Sequence, residues 1–273
     1  MNLTQYKRFN TSLLLCLLLY TTAYGQRLNV NPTILSFNLS DAGAVSTQTI
    51  TVTNLSDKKQ TYQLSLGDWI RDSIGAHRYY APGAMSRSCA RWITFDNPTV
   101  EIESQQSRDV RVTLQAPADQ NALKEMKWAM IFIQNVLEQT GNEGAAPKMK
   151  ATIREVFRIG LHVYQTPVTV TEKSAKAIAV TQSKSEPNVY NFSMVNTGKV
   201  MLECKIKSVL TNLVSGDEIK LEEYEIPVFP GADRILKLAI PPTVPKGKYS
   251  MLTVLDYDAD KPLEAVETNI VVQ

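Results

Sequence analysis

The chain has 273 residues, 29 of them basic and 27 acidic, with 44% hydrophobic residues and three cysteines. A balance this close to neutral, with no clustered Lys and Arg, excludes a polybasic nucleic-acid or membrane surface. So few cysteines exclude a disulfide framework, so the fold has to be held by apolar cores.

In chain order, Lys7 and Arg8 precede the apolar run SLLLCLLLY at residues 12–20, and small residues lead to Ala23-Tyr24-Gly25. This is the pattern of a secretory signal cut after Gly25, because the run is about half of the ~20 residues a membrane span needs. Cys16 sits inside the run, not at its end behind a small residue, which argues against a lipid acceptor. Removing residues 1–25 takes away Lys7 and Arg8 and no acid, leaving equal numbers of each sign. No later segment is apolar for long enough to span a bilayer, so the sequence predicts an exported protein of the periplasm, or else of the cell surface.

The rest shows period-two alternation in short runs bounded by turn residues, the mark of an all-β chain. Residues 28–38 read as an edge strand carrying Pro32. Ile50 and Val52 alternate with threonines, Tyr62, Leu64 and Leu66 lead to Trp69 at a strand end, and Pro82-Gly83 marks a turn. Residues 92–95 and 110–114 add strands, residues 121–126 allow a helical turn, and residues 127–137 are apolar on both faces, as a central strand would be. A polar loop over residues 139–150 precedes a long strand over residues 151–164.

That strand ends before Pro167, which places a domain boundary there: residues 26–166 and residues 167–273. The second half carries seven candidate strands, at residues 177–182, 189–196, 200–211, 219–226, 234–240, 248–257 and 264–272. Seven strands at this spacing fit an immunoglobulin-like sandwich, so the expected fold is two such domains in tandem. Cys89 and Cys204 fall one in each, and Cys204 alternates with Leu202 and Ile206 as a small core residue. No internal repeat aligns between the halves.

Most of the mature chain, the first half above all, resembles the periplasmic pilus-assembly chaperones, the PapD-like superfamily. The resemblance rests on the order of N31-P-T-I-L-S-F37, I50-T-V-T-N54, Tyr62 with Trp69, Pro82-Gly83, Trp92-Ile93, R108-D-V-R-V112 and the closing string F157-R-I-G-L-H-V-Y164. It implies a protein that lends its closing strand to an incomplete fimbrial subunit, main-chain hydrogen bonds fixing the strand and alternate side chains filling the subunit's groove. It also implies a basic pair that anchors the subunit's terminal carboxylate. Here the corresponding positions hold Ile34 and Gly160, and Glu155 breaks the apolar donor face. Arg158, two residues from Gly160 on the same face, is the surrogate anchor, and Ile153 and Phe157 are the residues left for a partner.

His77, read as lying in a loop, and His162 are the only histidines, and neither accompanies a serine in a strained turn. Phosphate-binding, H-E-x-x-H and paired C-x-x-C motifs are missing from the sequence. Asp256-Tyr257-Asp258-Ala259-Asp260 echoes a calcium loop but has Lys261 where glycine is required, so it reads as an acidic hairpin turn. Trp69, Tyr79, Tyr80 and Trp92 would suit a carbohydrate platform, but Trp92 beside Ile93 and Phe95 reads as core. Asp72-Ser73-Ile74 has the form of a short O-glycosylation acceptor. The sequence therefore predicts no enzyme, no cofactor and no metal. Two readings stand: a chaperone whose partner is a protein subunit of a surface or fimbrial assembly, or a structural or adhesive immunoglobulin-like module without chaperone activity.

Overall fold

A computed structural model describes residues 27–136 and 157–273. The expected signal, the loop at 139–150 and the first part of the closing strand, Ile153 included, lie outside the described residues. The chain forms two immunoglobulin-like sandwiches in tandem, each built of two sheets.

In the first sandwich the strands are β1 (Leu28–Asn31), β2 (Ile34–Phe37), β3 (Val45–Asn54), β4 (Gln60–Arg71), β5 (His77–Tyr80), β6 (Ile93–Phe95), β7 (Thr99–Ile102), β8 (Ser107–Gln115), β9 (Lys127–Asn135) and β10 (Arg158–Gln165). One sheet runs β1-β3-β8-β6; the other runs β2-β10-β9-β4-β5, with β7 on β4. The single strand expected over residues 28–38 is in fact two strands in different sheets. Pro32 lies between them and offers no N–H to a ladder, so the chain changes partners there. Two further corrections concern β5 and Trp69: His77 is on a strand, not in a loop, and Trp69 lies within β4, two residues before its end. The helical turn allowed at residues 121–126 is a short 3-10 turn at Gln120–Leu123, capped by the Asp119 carboxylate accepting from the Asn121 N–H. Trp92 closes another such turn, half-buried against the core.

Alternation along these strands sends Leu35, Ile50, Val52, Val110, Val112 and Leu161 into one sealed core. Strand β9 explains its two apolar faces. Ala129, Ile131 and Ile133 enter that core, while Trp128, Met130 and Phe132 turn outward and join Trp69, Met126 and Phe229 in a second cluster.

The second sandwich contains β11 (Ala175–Gln182), β12 (Val189–Asn196), β13 (Leu202–Asn212), β14 (Glu218–Lys220), β15 (Tyr224–Val228), β16 (Asp233–Ala239), β17 (Gly247–Asp256) and β18 (Glu264–Val272). The run expected at residues 219–226 divides into β14 and β15, both pairing β13. Gly231, at φ +76°, makes the turn into β16. The acidic string at 256–260 begins at the end of β17 and runs into the turn before β18, where Asp258 pairs with Lys173 at 2.6 Å. Cys89 and Cys204 are both buried free thiols, one in each core, and burial pushes both thiols up, Cys204 to about 12.

The two sandwiches touch through the β4–β5 hairpin. The Ile235 N–H donates to the Ser73 carbonyl at 2.7 Å, and Arg234 Nη1 donates to the Asp72 carbonyl at 3.0 Å. Phe229 packs between Trp69 and Trp128 from the other side, at 5.0 and 4.9 Å between ring centroids.

Candidate functional site

The outward face of the sheet β2-β10-β9-β4-β5 forms a cleft with the second sandwich. Register decides what it carries. His162 lies between Ile34 on β2 and Met130 on β9, Gly160 opposite Phe132, and Tyr164 opposite Trp128. Across β4, Gly67 pairs with Met130, Trp69 with Tyr79 and Arg71 with His77. Alternation therefore brings Arg158, His162 and Tyr164 of β10, Trp69 and Arg71 of β4, and His77 and Tyr79 of β5 to one side.

Two glycines make room for large neighbours on that face. A Cβ at Gly67 would meet Phe132 Cε2 at 2.7 Å, and one at Gly160 would meet Met130 Sδ at 2.9 Å. The closing-strand position where the resemblance implies a basic residue is thus crowded from the side by a thioether. Ile34, at the other anchor position, is half exposed and paired in register with His162, not with Gly160.

The rings form a continuous group. His162 lies 4.5 Å from Trp69 and 5.8 Å from His77, and is stacked with Tyr164 at 5.9 Å. His77 stacks with Tyr79 at 6.1 Å. Burial pulls the His162 imidazole down to about 4, helped by the positive charges of His77 and Arg71. His77 is lowered by the same two causes, burial first and Arg71 second. Tyr164 is pushed up to about 12 by burial. Across the cleft Glu203 is raised by burial and by Glu225, against the pull of Arg71.

Among the described residues, the buried side-chain nitrogens without a hydrogen-bond partner are Arg71 Nε, His162 Nε2 and Arg234 Nε. All three belong to this cleft, where the Arg71 charge acts on both of the others. Each such group costs about 1–3 kcal/mol when left unsatisfied, and native proteins leave few of them. The Arg71 charge also reaches Glu203 across the cleft, and Asp72 acts on Arg234. Arg71 is not legible from sequence, because taking Trp69 as a strand end hides that the residue two places on shares its face.

The residues singled out from sequence are placed as follows. Phe157 precedes β10 and is partly exposed, its N–H donating to Asn135 Oδ1 at 2.8 Å. Arg158 opens β10, its guanidinium carbon 3.5 Å above the Phe132 ring centroid, a cation–π contact. Ile159 is half-buried, and Leu161 and Val163 are sealed in the core. On one side residues 158–161 pair with β9; β2 pairs on the other side only from His162 onward. Among the described residues, nothing pairs with that second edge of residues 158–161.

Comparison with solved structures finds the fold of PapD-like fimbrial chaperones. A chaperone–tip adhesin complex of CFA/I fimbriae biogenesis is similar over 91% of this chain and 100% of that chain, with 11% identity and a TM-score of 0.50. The class 5 fimbriae chaperone CfaA covers 90% and 100%, with 10% identity and a TM-score of 0.46. The E. coli chaperone DraB covers 90% and 96%, with 13% identity and a TM-score of 0.43. A family described as an Fn3-like domain matches residues 37–150. No curated protein sequence matches the chain. At these identities the likeness concerns the fold and not the residues of the cleft.

Proposed function

We propose that this protein is a periplasmic chaperone that assists assembly of fimbrial or cell-surface subunits by lending them the edge of β10. The observation that carries the reading is the open edge of residues 158–161, which leads directly out of a strand fixed in the core by Leu161 and Val163. Free N–H and C=O groups along such an edge pair readily with an incoming strand. Ile153 and Phe157 supply the apolar side chains for the partner, and Arg158 meets it on the cleft side. The solved complexes of similar fold include chaperones with their fimbrial subunits, which supports a protein subunit as the client.

A second reading, a surface module without chaperone activity, is favoured by one observation: Ile34 and Gly160 stand where the resemblance implies an anchoring basic pair. Pull-down of the tagged exported protein from its own cell envelope separates the two. Arg158→Ala and Ile153→Asp should lose client subunits while remaining folded, and Leu161→Asp should unfold the first sandwich. Recovery of the same partners by the first two variants as by wild type would remove strand donation and leave the surface module.

A further inference from the structure

We propose that the second sandwich docks a second copy of this chain, the open edges of the two β18 strands pairing antiparallel across a two-fold axis at Thr268. The inference stands apart from strand donation, which uses an edge of the first sandwich.

Strand β18 ends its sheet. Among the described residues it is hydrogen-bonded to β17 on one side, and no strand is bonded to its other side. Strand β11 of the facing sheet runs near it but bonds to β12 alone. Between them lies a cavity of about 320 Å³, lined by Val180, Gln182, Tyr190 and residues 268–271. Two hydrogen bonds fix which main-chain groups face that open side. The Lys248 carbonyl on β17 accepts from the Leu213 N–H at 3.0 Å, so it points away from β18, where its register partner is Val271. The Val271 carbonyl in turn points away from β17 and accepts from the Tyr190 hydroxyl at 3.2 Å. By alternation, the N–H and C=O groups of residues 265, 267, 269 and 271 face outward, and those of residues 266, 268 and 270 serve β17.

An exposed edge of this kind usually carries a proline, a lysine or a bulge that prevents copying. β18 reads E-A-V-E-T-N-I-V-V over nine residues in unbroken register with β17, with none of the three. The strand is also complementary to itself. Two copies related by a two-fold axis overlap along the whole of β18 only when Thr268 faces Thr268. In that register every outward group meets another outward group, residue 265 with 271 and residue 267 with 269, each pair occurring twice. Ala265 then meets Val271, an apolar side chain 50% exposed in the single chain, and Glu267 meets Asn269. Moving the axis to position 267 would set Glu267 against Glu267, like charges directly opposite. Moving it to position 269 would shorten the overlap. The contact is isologous, so it closes at two copies and does not propagate.

The test uses the full exported protein. Sedimentation velocity over a range of concentrations should show a monomer–dimer equilibrium. Asn269 is exposed on β18, so substitutions there leave the core intact. Asn269→Lys places a cation opposite Glu267 of the other copy, twice over, and should tighten the dimer about fivefold at low salt. Asn269→Glu should loosen it by about as much, and added salt should shrink both effects. Thr268→Cys reads the register. Partners in a pair without hydrogen bonds lie about 4.5 Å apart between Cα atoms, within reach of a disulfide. Mild oxidation should therefore yield a covalent dimer. Ala265→Cys, whose counterpart lies about 20 Å along the strand, should yield none, and the buried Cys89 and Cys204 take no part. Circular dichroism like that of wild type shows that each variant is folded. A monomer at every concentration would overturn the proposal, and is the result expected if a different protein occupies this edge. Asn269 variants that fail to move the equilibrium in opposite directions would overturn it as well, as would cross-linking no greater in Thr268→Cys than in Ala265→Cys.

Discussion

The indole N–H of Trp128 donates to the main-chain carbonyl of Trp69 at 2.7 Å, and the indole of Trp69 donates in turn to the carbonyl of Ala129 at 3.1 Å. The two rings are thereby pinned across β4 and β9 with their faces outside the first core. Phe229 of the second sandwich meets Trp69 edge-on at 81°. The junction between sandwiches is therefore an aromatic contact on a hydrogen-bonded base, and the base keeps the cleft in shape.

Phe229→Ala should loosen that junction. Removing a buried phenyl ring costs roughly 3 kcal/mol, and here the loss falls on the contact between two cores that each have their own apolar cluster. Urea unfolding followed by tryptophan fluorescence should give a lower midpoint for the first sandwich, and the transition should become broader or split. A midpoint and slope identical to wild type would mean that Phe229 contributes nothing to holding the sandwiches together.

A second expectation concerns acid. The folded-state values of His162 and His77 are depressed below their ordinary value, so the unfolded chain binds more protons than the folded one as the pH falls. Stability thus rises with pH across the interval from about 4, the folded value of His162, to its ordinary ~6.5, and acidification through that window destabilises the protein. Chemical denaturation at a series of pH values should show this slope in wild type and a shallower one in His162→Gln. An equal slope in both would place the acid sensitivity elsewhere.

Much of the fold is legible in the sequence wherever one strand face is wet and the other dry. Strands β12 and β18 carry such alternation along their length, and their bounds read from sequence are those of the structure. Strand β5 escapes notice because all four of its residues are exposed, leaving no period to detect. Another hidden feature is a device shared by the two sandwiches. Asn54 ends β3 and Asn196 ends β12, both fully buried. Asn54 Nδ2 donates to the Lys58 and Ile102 carbonyls and its Oδ1 accepts from Ser56; Asn196 Nδ2 donates to the Val200 and Val228 carbonyls and its Oδ1 accepts from the Gly198 N–H. V-T-N-L-S and M-V-N-T-G share only the asparagine, too little to align as a repeat, although each asparagine satisfies the same kind of turn. Arg158 opens the closing strand, whose alternation is legible in the sequence, whereas Phe157 lies just before it. The grouping of Arg71, His77 and His162 is not, because it depends on the register of four neighbouring strands.

The last expectation concerns Gly160, where the resemblance implies a basic residue. The Met130 thioether occupies the space a Cβ would need, with Sδ at 2.9 Å from it. Gly160→Lys alone should therefore destabilise the first sandwich by about 1–3 kcal/mol, the usual cost of overpacking. Met130→Ala alone should also destabilise it, by opening a void beside Trp69 and His162. Combined, the two changes should cost less than their sum by about 1 kcal/mol or more, since the stem of the new lysine runs where the thioether was. Urea denaturation of all four proteins measures that coupling. If the two costs simply add, Met130 is not what excludes a side chain at position 160.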